Sequence, residues 1–107
     1  MARALVHMPK TAKAGEVIEI RALIAHPMES GYRPGADGKA VPQDIIRQFT
    51  CKYDSEQVFA AELHPAISAN PYIAFFTVAV KTGTLEFTWT GDNGFTQTER
   101  MALAVMP

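Results

Sequence analysis

Three histidines, one cysteine and eleven carboxylates are the side chains in this sequence with catalytic or metal-binding potential. A zinc site needs three or four converging ligands, usually including a close pair such as H-x3-H or C-x2-C. His7, His26 and His64 form no such pair. His26 and His64 could meet across two strand ends, with Glu29 or Cys51 as a third ligand, in a small metal-dependent enzyme. The simpler reading makes them polar residues at loop edges. Cys51 lies inside the run Phe49-Thr50-Cys51-Lys52-Tyr53. Reactive thiolates favour helix N-termini or electropositive, part-exposed niches, so this one reads as a small buried hydrophobe. Glu16, Glu19 and Asp92 suggest no acid–base pair. Neither a G-x-S-x-G elbow nor a phosphate-cradling or dinucleotide glycine motif occurs. The residues point away from an enzyme acting alone, and no cofactor or metal is expected.

The elements that would position any site are strands. Leu85, Phe87 and Trp89 alternate with Thr84, Glu86, Thr88 and Thr90, the period of a half-buried strand. Ile18, Ile20, Ala22 and Ile24 alternate with Val17, Glu19, Arg21 and Leu23. Ile45, Phe49, Cys51 and Tyr53 share one face of a third run, which Arg47 interrupts. Residues 58–64, 72–80 and 95–105 form further runs, and residues 5–8 a short edge strand. Asn93-Gly94 marks a hairpin turn between the last two long strands. About seven short strands with regular turn signals, and no convincing helix, predict an all-β fold over residues 1–107. The expected architecture is an immunoglobulin-like antiparallel β-sandwich, in one domain. Trp89 is its expected centrepiece, with an acceptor for the indole N–H. The stretch 26–43 lacks periodicity and is long for a connection in a small domain, which favours a functional or mobile loop.

Composition narrows the classes further. Apolar residues make up 48 % of the 107 and charged residues 20 %, as in a globular core and unlike a disordered tail. Ten basic residues against eleven acidic ones, with no block of one sign, leave no basic face for a nucleic acid. The longest unbroken apolar run, residues 72–76, is far too short to cross a bilayer. A lone cysteine and the absence of an apolar leader in residues 1–8 suggest, taken alone, an intracellular protein.

The most informative feature is a strand without a polar face. In residues 72–80 only Thr77 is polar. One face carries Ile73, Phe75, Thr77 and Ala79; the other carries Tyr72, Ala74, Phe76, Val78 and Val80. A two-layer sandwich buries one of these faces, so the second is expected to meet a partner, or else the loop 26–43 folded over it. The C-terminal run Met101–Met106 is apolar on both faces in the same way.

The chain carries Ala14-Gly15-Glu16, Leu23-Ile24-Ala25-His26, Met28-Glu29-Ser30-Gly31 and Arg33. Further along come Phe49-Thr50-Cys51, Asn70-Pro71-Tyr72 and Phe87-Thr88-Trp89. In this order, over nearly the whole chain, these stretches resemble the SoxZ family, the small subunit of the bacterial sulfur-oxidation carrier. The resemblance implies a non-catalytic, immunoglobulin-like subunit in a heterodimer with a larger SoxY-like subunit. It implies that the partner's C-terminal cysteine arm carries the covalently bound sulfur intermediates of thiosulfate oxidation. It also implies transient docking with sulfur-oxidation enzymes, and a periplasmic location reached with a signal-bearing partner. The apolar face of Tyr72, Ala74, Phe76, Val78 and Val80 is the expected partner interface, with His26, Met28, Glu29 and Arg33 nearby. The rival reading is a self-associating or adhesion-type sandwich.

Overall fold

A computed structural model describes residues 3–107; residues 1 and 2, part of the stretch 1–8 expected to hold no export leader, lie outside the described residues. The alternating runs become eight strands: β1 (Ala4–His7), β2 (Thr11–Lys13), β3 (Val17–Ile24), β4 (Ile46–Tyr53), β5 (Glu56–Glu62), β6 (Tyr72–Val78), β7 (Gly83–Gly91) and β8 (Thr96–Met106). They form a sandwich of two sheets, one ordered β1-β3-β6 and the other β2-β8-β7-β4-β5. All pairings are antiparallel except β2 with β8, which departs from the all-antiparallel expectation. The chain leaves β1 at Met8 and Pro9, crosses to the other sheet and pairs Thr11–Lys13 with Ala104–Met106, burying Met8 and Ala12 on the way. This crossing closes one side of the sandwich.

The core lies between the inner faces of the two sheets. Phe49, Phe87 and Trp89 are fully buried in the five-stranded sheet, facing Ile18, Ile20 and Ile24 from β3. Phe49 is the hub, with ring centroids 5.0 Å from Trp89, 6.0 Å from Phe75 and 6.1 Å from Phe59. Phe59 of β5 stacks on Phe75 of β6 at 4.2 Å and ties the sheets together on the side away from β1 and β2. Among the described residues no hydrogen-bond partner is found for the buried Trp89 indole N–H, against the expected acceptor.

Arg47 is the point where β4 changes phase. The β4–β7 pairing slips between Ile46 and Gln48, so Arg47 and Gln48 both face out while Ile45, Ile46 and Phe49 are all buried. Gly91 lies opposite this bulge, where a Cβ would come within 2.8 Å of Ile46 Cα. The β7–β8 hairpin turns as expected, with Asn93 at φ +59° and Gly94 at φ +72°. The β4–β5 turn uses Asp54 and Ser55, also at positive φ. Strand β5 therefore begins at Glu56, two residues before the expected start.

Candidate partner interface

The outer faces of the two sheets differ in chemistry. On the five-stranded sheet, the register aligns Lys52, Glu86 and Arg100 in one row and Thr50, Thr88 and Thr98 in the next. Both rows are polar. On the three-stranded sheet, Leu5, Leu23 and Tyr72 form a row across β1, β3 and β6. Further along, His7 and Arg21 align with Ala74, Glu19 with Phe76, and Val17 with Val78. Tyr72 is 59 % exposed and Phe76 64 %, and Leu5, Val17, Leu23 and Val78 are exposed beside them. This contiguous apolar surface, crossed by an ion pair from Arg21 to Glu19 at 3.0 Å, makes this face the candidate interface. Among the described residues nothing covers it, and the loop 26–43 does not fold over it.

Of the residues expected at the interface, Tyr72, Ala74, Phe76 and Val78 share this exposed face. Val80 lies past the end of β6, also exposed. Leu5, Val17 and Leu23 join them beyond the sequence expectation. Their signal was present in the sequence, because Val17 and Leu23 are the apolar ends of the outward face of β3.

His26 and Met28 require correction. Both are only 6 % exposed and present no surface to a partner. Their burial follows from backbone groups that need partners. The His26 N–H donates to Asn70 Oδ1 at 3.0 Å, and the Asn70 N–H donates back to His26 O at 2.8 Å. His26 Nδ1 accepts the Met28 N–H at 3.0 Å, and Met28 Sδ accepts the Ile46 N–H at 3.2 Å. The imidazole also meets the edge of Phe95 at 5.0 Å. Together these bonds fasten the base of the long loop to the residues that lead into β6. Glu29 pairs with Asp44 through two backbone bonds, and Arg33 grips Glu29 through Nε and Nη2 at 3.1 and 2.6 Å. The Arg33 guanidinium holds the Glu29 carboxyl below the usual carboxylate range. Glu29 and Arg33 thus form a strut within the loop.

The groups that suggested chemistry are separated. His7 is exposed on β1, His64 is exposed beyond β5, and His26 has its Nδ1 occupied, with Nε2 3.8 Å from Asp44 Oδ1. Among the described residues no three His, Cys, Asp or Glu side chains converge as metal ligands. Cys51 is fully buried, and burial pushes its thiol up to about 12, so it stays protonated and unreactive near neutral pH.

A second strut joins the loop to the β7–β8 turn. Arg47 Nε donates to Asp92 Oδ1 at 2.6 Å, and the Ile45 N–H donates to Asp92 Oδ2 at 3.1 Å. These bonds, the Arg47 one first, hold the Asp92 carboxyl below its ordinary value. A carboxylate with a depressed folded pKa contributes stability that is present above its unfolded pKa of about 4 and is lost as pH falls through the folded value. Asp92→Asn should therefore be less stable than wild type at pH 7, with a smaller gap at pH 3, below the unfolded pKa of about 4. Urea midpoints at the two pH values check this, and an equal gap at both would mean that the strut's charge contributes nothing.

Comparison with known proteins adds an identity to this geometry. The family model for the sulphur oxidation protein SoxZ matches residues 6–102. The chain belongs to the SoxZ family. Membership places it in sulfur oxidation and agrees with the resemblance of its motifs. A search of curated proteins found no match. Among solved structures, the sulfur carrier protein SoxY from Chlorobium limicola f thiosulfatophilum superposes with a TM-score of 0.68 at 13 % identity, covering 97 % of this chain and 79 % of that one. The superoxide reductase (neelaredoxin) from Ignicoccus hospitalis superposes with a TM-score of 0.73 at 16 % identity, covering 96 % of this chain and 79 % of that one. At such identities these two likenesses carry the fold alone. The sandwich is thus common to this SoxZ-family chain, a SoxY and a superoxide reductase. Among the described residues of the SoxZ-family chain, no helix is long and apolar enough to cross a membrane.

Proposed function

We propose that this chain is the non-catalytic subunit of a SoxYZ-type sulfur carrier, pairing with a SoxY-type chain through the outer face of the β1-β3-β6 sheet. The observation that carries the reading is the contrast between the two outer faces, one polar and one apolar, in a member of the SoxZ family. The apolar face supplies the buried centre that a lasting heterodimer needs, and the Arg21–Glu19 pair with His7 supplies polar registration within it. In this role the chain forms part of the surface on which sulfur-oxidation enzymes dock, while the partner carries the covalent sulfur. The separation of the three histidines and the buried, protonated Cys51 support a subunit that carries no chemistry of its own. Work in the periplasm beside a signal-bearing partner is part of the same proposal.

Coexpression tests it. The chain is made with a SoxY-type subunit bearing its own export signal, and the cells are fractionated. The expected result is a one-to-one complex in the periplasmic fraction. Recovery of two separate chains would overturn the partnership, and a complex confined to the cytoplasm would overturn the location. A homodimer that ignores the partner would favour the self-associating sandwich.

A further inference from the structure

The two sides of the sandwich are finished differently. On one side, the crossing from β1 to β2 carries the chain from sheet to sheet and leaves only short edges. On the other, β5 and β6 are the last strands of their sheets, and neither edge is paired among the described residues. The edge of β5 carries Glu56 and Glu62, and a slip in the β4–β5 register breaks its regularity. These are the usual guards against unwanted strand pairing. The β6 edge has none of them. From Tyr72 to Val80 there is no charge and no proline, and its register with β3 runs unbroken from Tyr72 to Val78.

The free backbone groups of β6 can be identified. Pro71 O accepts the Ile24 N–H, and the Ala79 N–H donates to Glu16 O at 2.8 Å, so the odd-numbered residues bond to β3. Antiparallel alternation then turns the N–H and C=O groups of Tyr72, Ala74, Phe76 and Val78 to the open edge. Beside that edge lies a cleft of about 360 Å³ lined by residues of β5, β6 and the segment after β6, among them Val58, Thr77, Val78 and Val80. Glu56 and Lys81 also line it, and Lys81 Nζ lies 3.8 Å from Asp54 Oδ2.

We propose that the β6 edge is a strand-addition site for an extended, uncharged segment of the SoxY-type partner, taken from outside that partner's own sandwich. This rests on the partnership proposed above. The edge offers hydrogen bonds to an extended backbone, and the cleft offers room for its inward-facing side chains. A folded sandwich edge, from a second copy or from the partner's own sheet, fits less well. Its inward side chains already fill its own core and would leave the cleft empty. A free segment has those side chains to give. The shared fold accounts for 79 % of the SoxY chain, which leaves about a fifth of that chain outside it. An uncharged segment also suits an edge that carries no charge from Tyr72 to Val80.

Amide hydrogen exchange on the coexpressed heterodimer and on the isolated chain tests the site. The N–H groups of Ala74, Phe76 and Val78 should exchange about 100-fold more slowly in the heterodimer, while those of Phe75 and Thr77, already bonded to β3, change little. Ala74→Pro removes one edge donor without touching a β3 bond, and should weaken partner affinity about tenfold with an unchanged circular dichroism spectrum. A heterodimer whose edge amides exchange as fast as in the isolated chain overturns strand addition and leaves the partnership standing. Failure of the wild-type chains to associate overturns both. Slow edge exchange in the isolated chain, together with a dimer mass in sedimentation, assigns the edge to a second copy and overturns the proposal.

Discussion

Phe76→Asp is expected to weaken binding of a SoxY-type partner by at least 100-fold, ~2.7 kcal/mol. Phe76 projects from the middle of the apolar face, 64 % exposed, and covering an aromatic side chain of this size stabilises a complex by about 1.5–3 kcal/mol. The aspartate loses that burial and adds a charge that must be stripped of water in the interface. The fold should survive, because the side chain is outside the core. One local cost is predictable: residue 76 lies across from Glu19, and two carboxylates facing each other on neighbouring strands repel. Phe76→Lys avoids this by placing an ammonium opposite Glu19, yet still removes the aromatic anchor. Both variants should lose the partner in titration calorimetry. Thr96→Asp, on the outer face of the five-stranded sheet, should bind as wild type does. Wild-type affinity in Phe76→Lys would move the interface off this sheet.

The sequence made the strands of this sandwich legible where the period of two ran long enough to count. Residues 85–90 alternate without a break, residues 18–22 do so until Leu23 interrupts them, and the Asn93-Gly94 turn carries the two positive φ values that an Asn-Gly pair accepts at low cost. Strand β2 was invisible because three residues contain no period, and its pairing with β8 is set by the crossing after Pro9. The phase change at Arg47 left a trace, two consecutive isoleucines that cannot both face one side of a regular strand, but only the pairing with Gly91 shows which way the bulge goes. The interface was half legible. Alternation within β6 separates its two faces, and the choice between a covering loop and a partner depends on where the chain sends residues 26–43. His26 escapes sequence reasoning for a physical reason. A histidine between Ala25 and Pro27 carries no local sign of burial; its burial comes from Asn70, far along the chain, and from the Met28 N–H.

Trp89 offers the sharpest test of what holds the sandwich together. It is completely buried, lies 5.0 Å from Phe49, and its indole N–H finds no acceptor among the described residues. Trp89→Ala should cost about 4 kcal/mol, from the apolar burial that disappears with the ring and the cavity that opens against Phe49. A domain of this size has about 5–15 kcal/mol of stability in total, so this variant should stand near the threshold of unfolding. Trp89→Phe separates packing from polarity. The smaller ring leaves a modest void, but the substitution also removes a buried donor whose loss of water, uncompensated, costs about 1–3 kcal/mol in the native state. The two effects oppose each other, and the variant should lie within about 1 kcal/mol of wild type. Urea unfolding must be followed by circular dichroism, since Trp89 is the only tryptophan. If Trp89→Phe proves nearly as costly as Trp89→Ala, the indole N–H must be making a bond worth keeping. The expected core acceptor would then be restored.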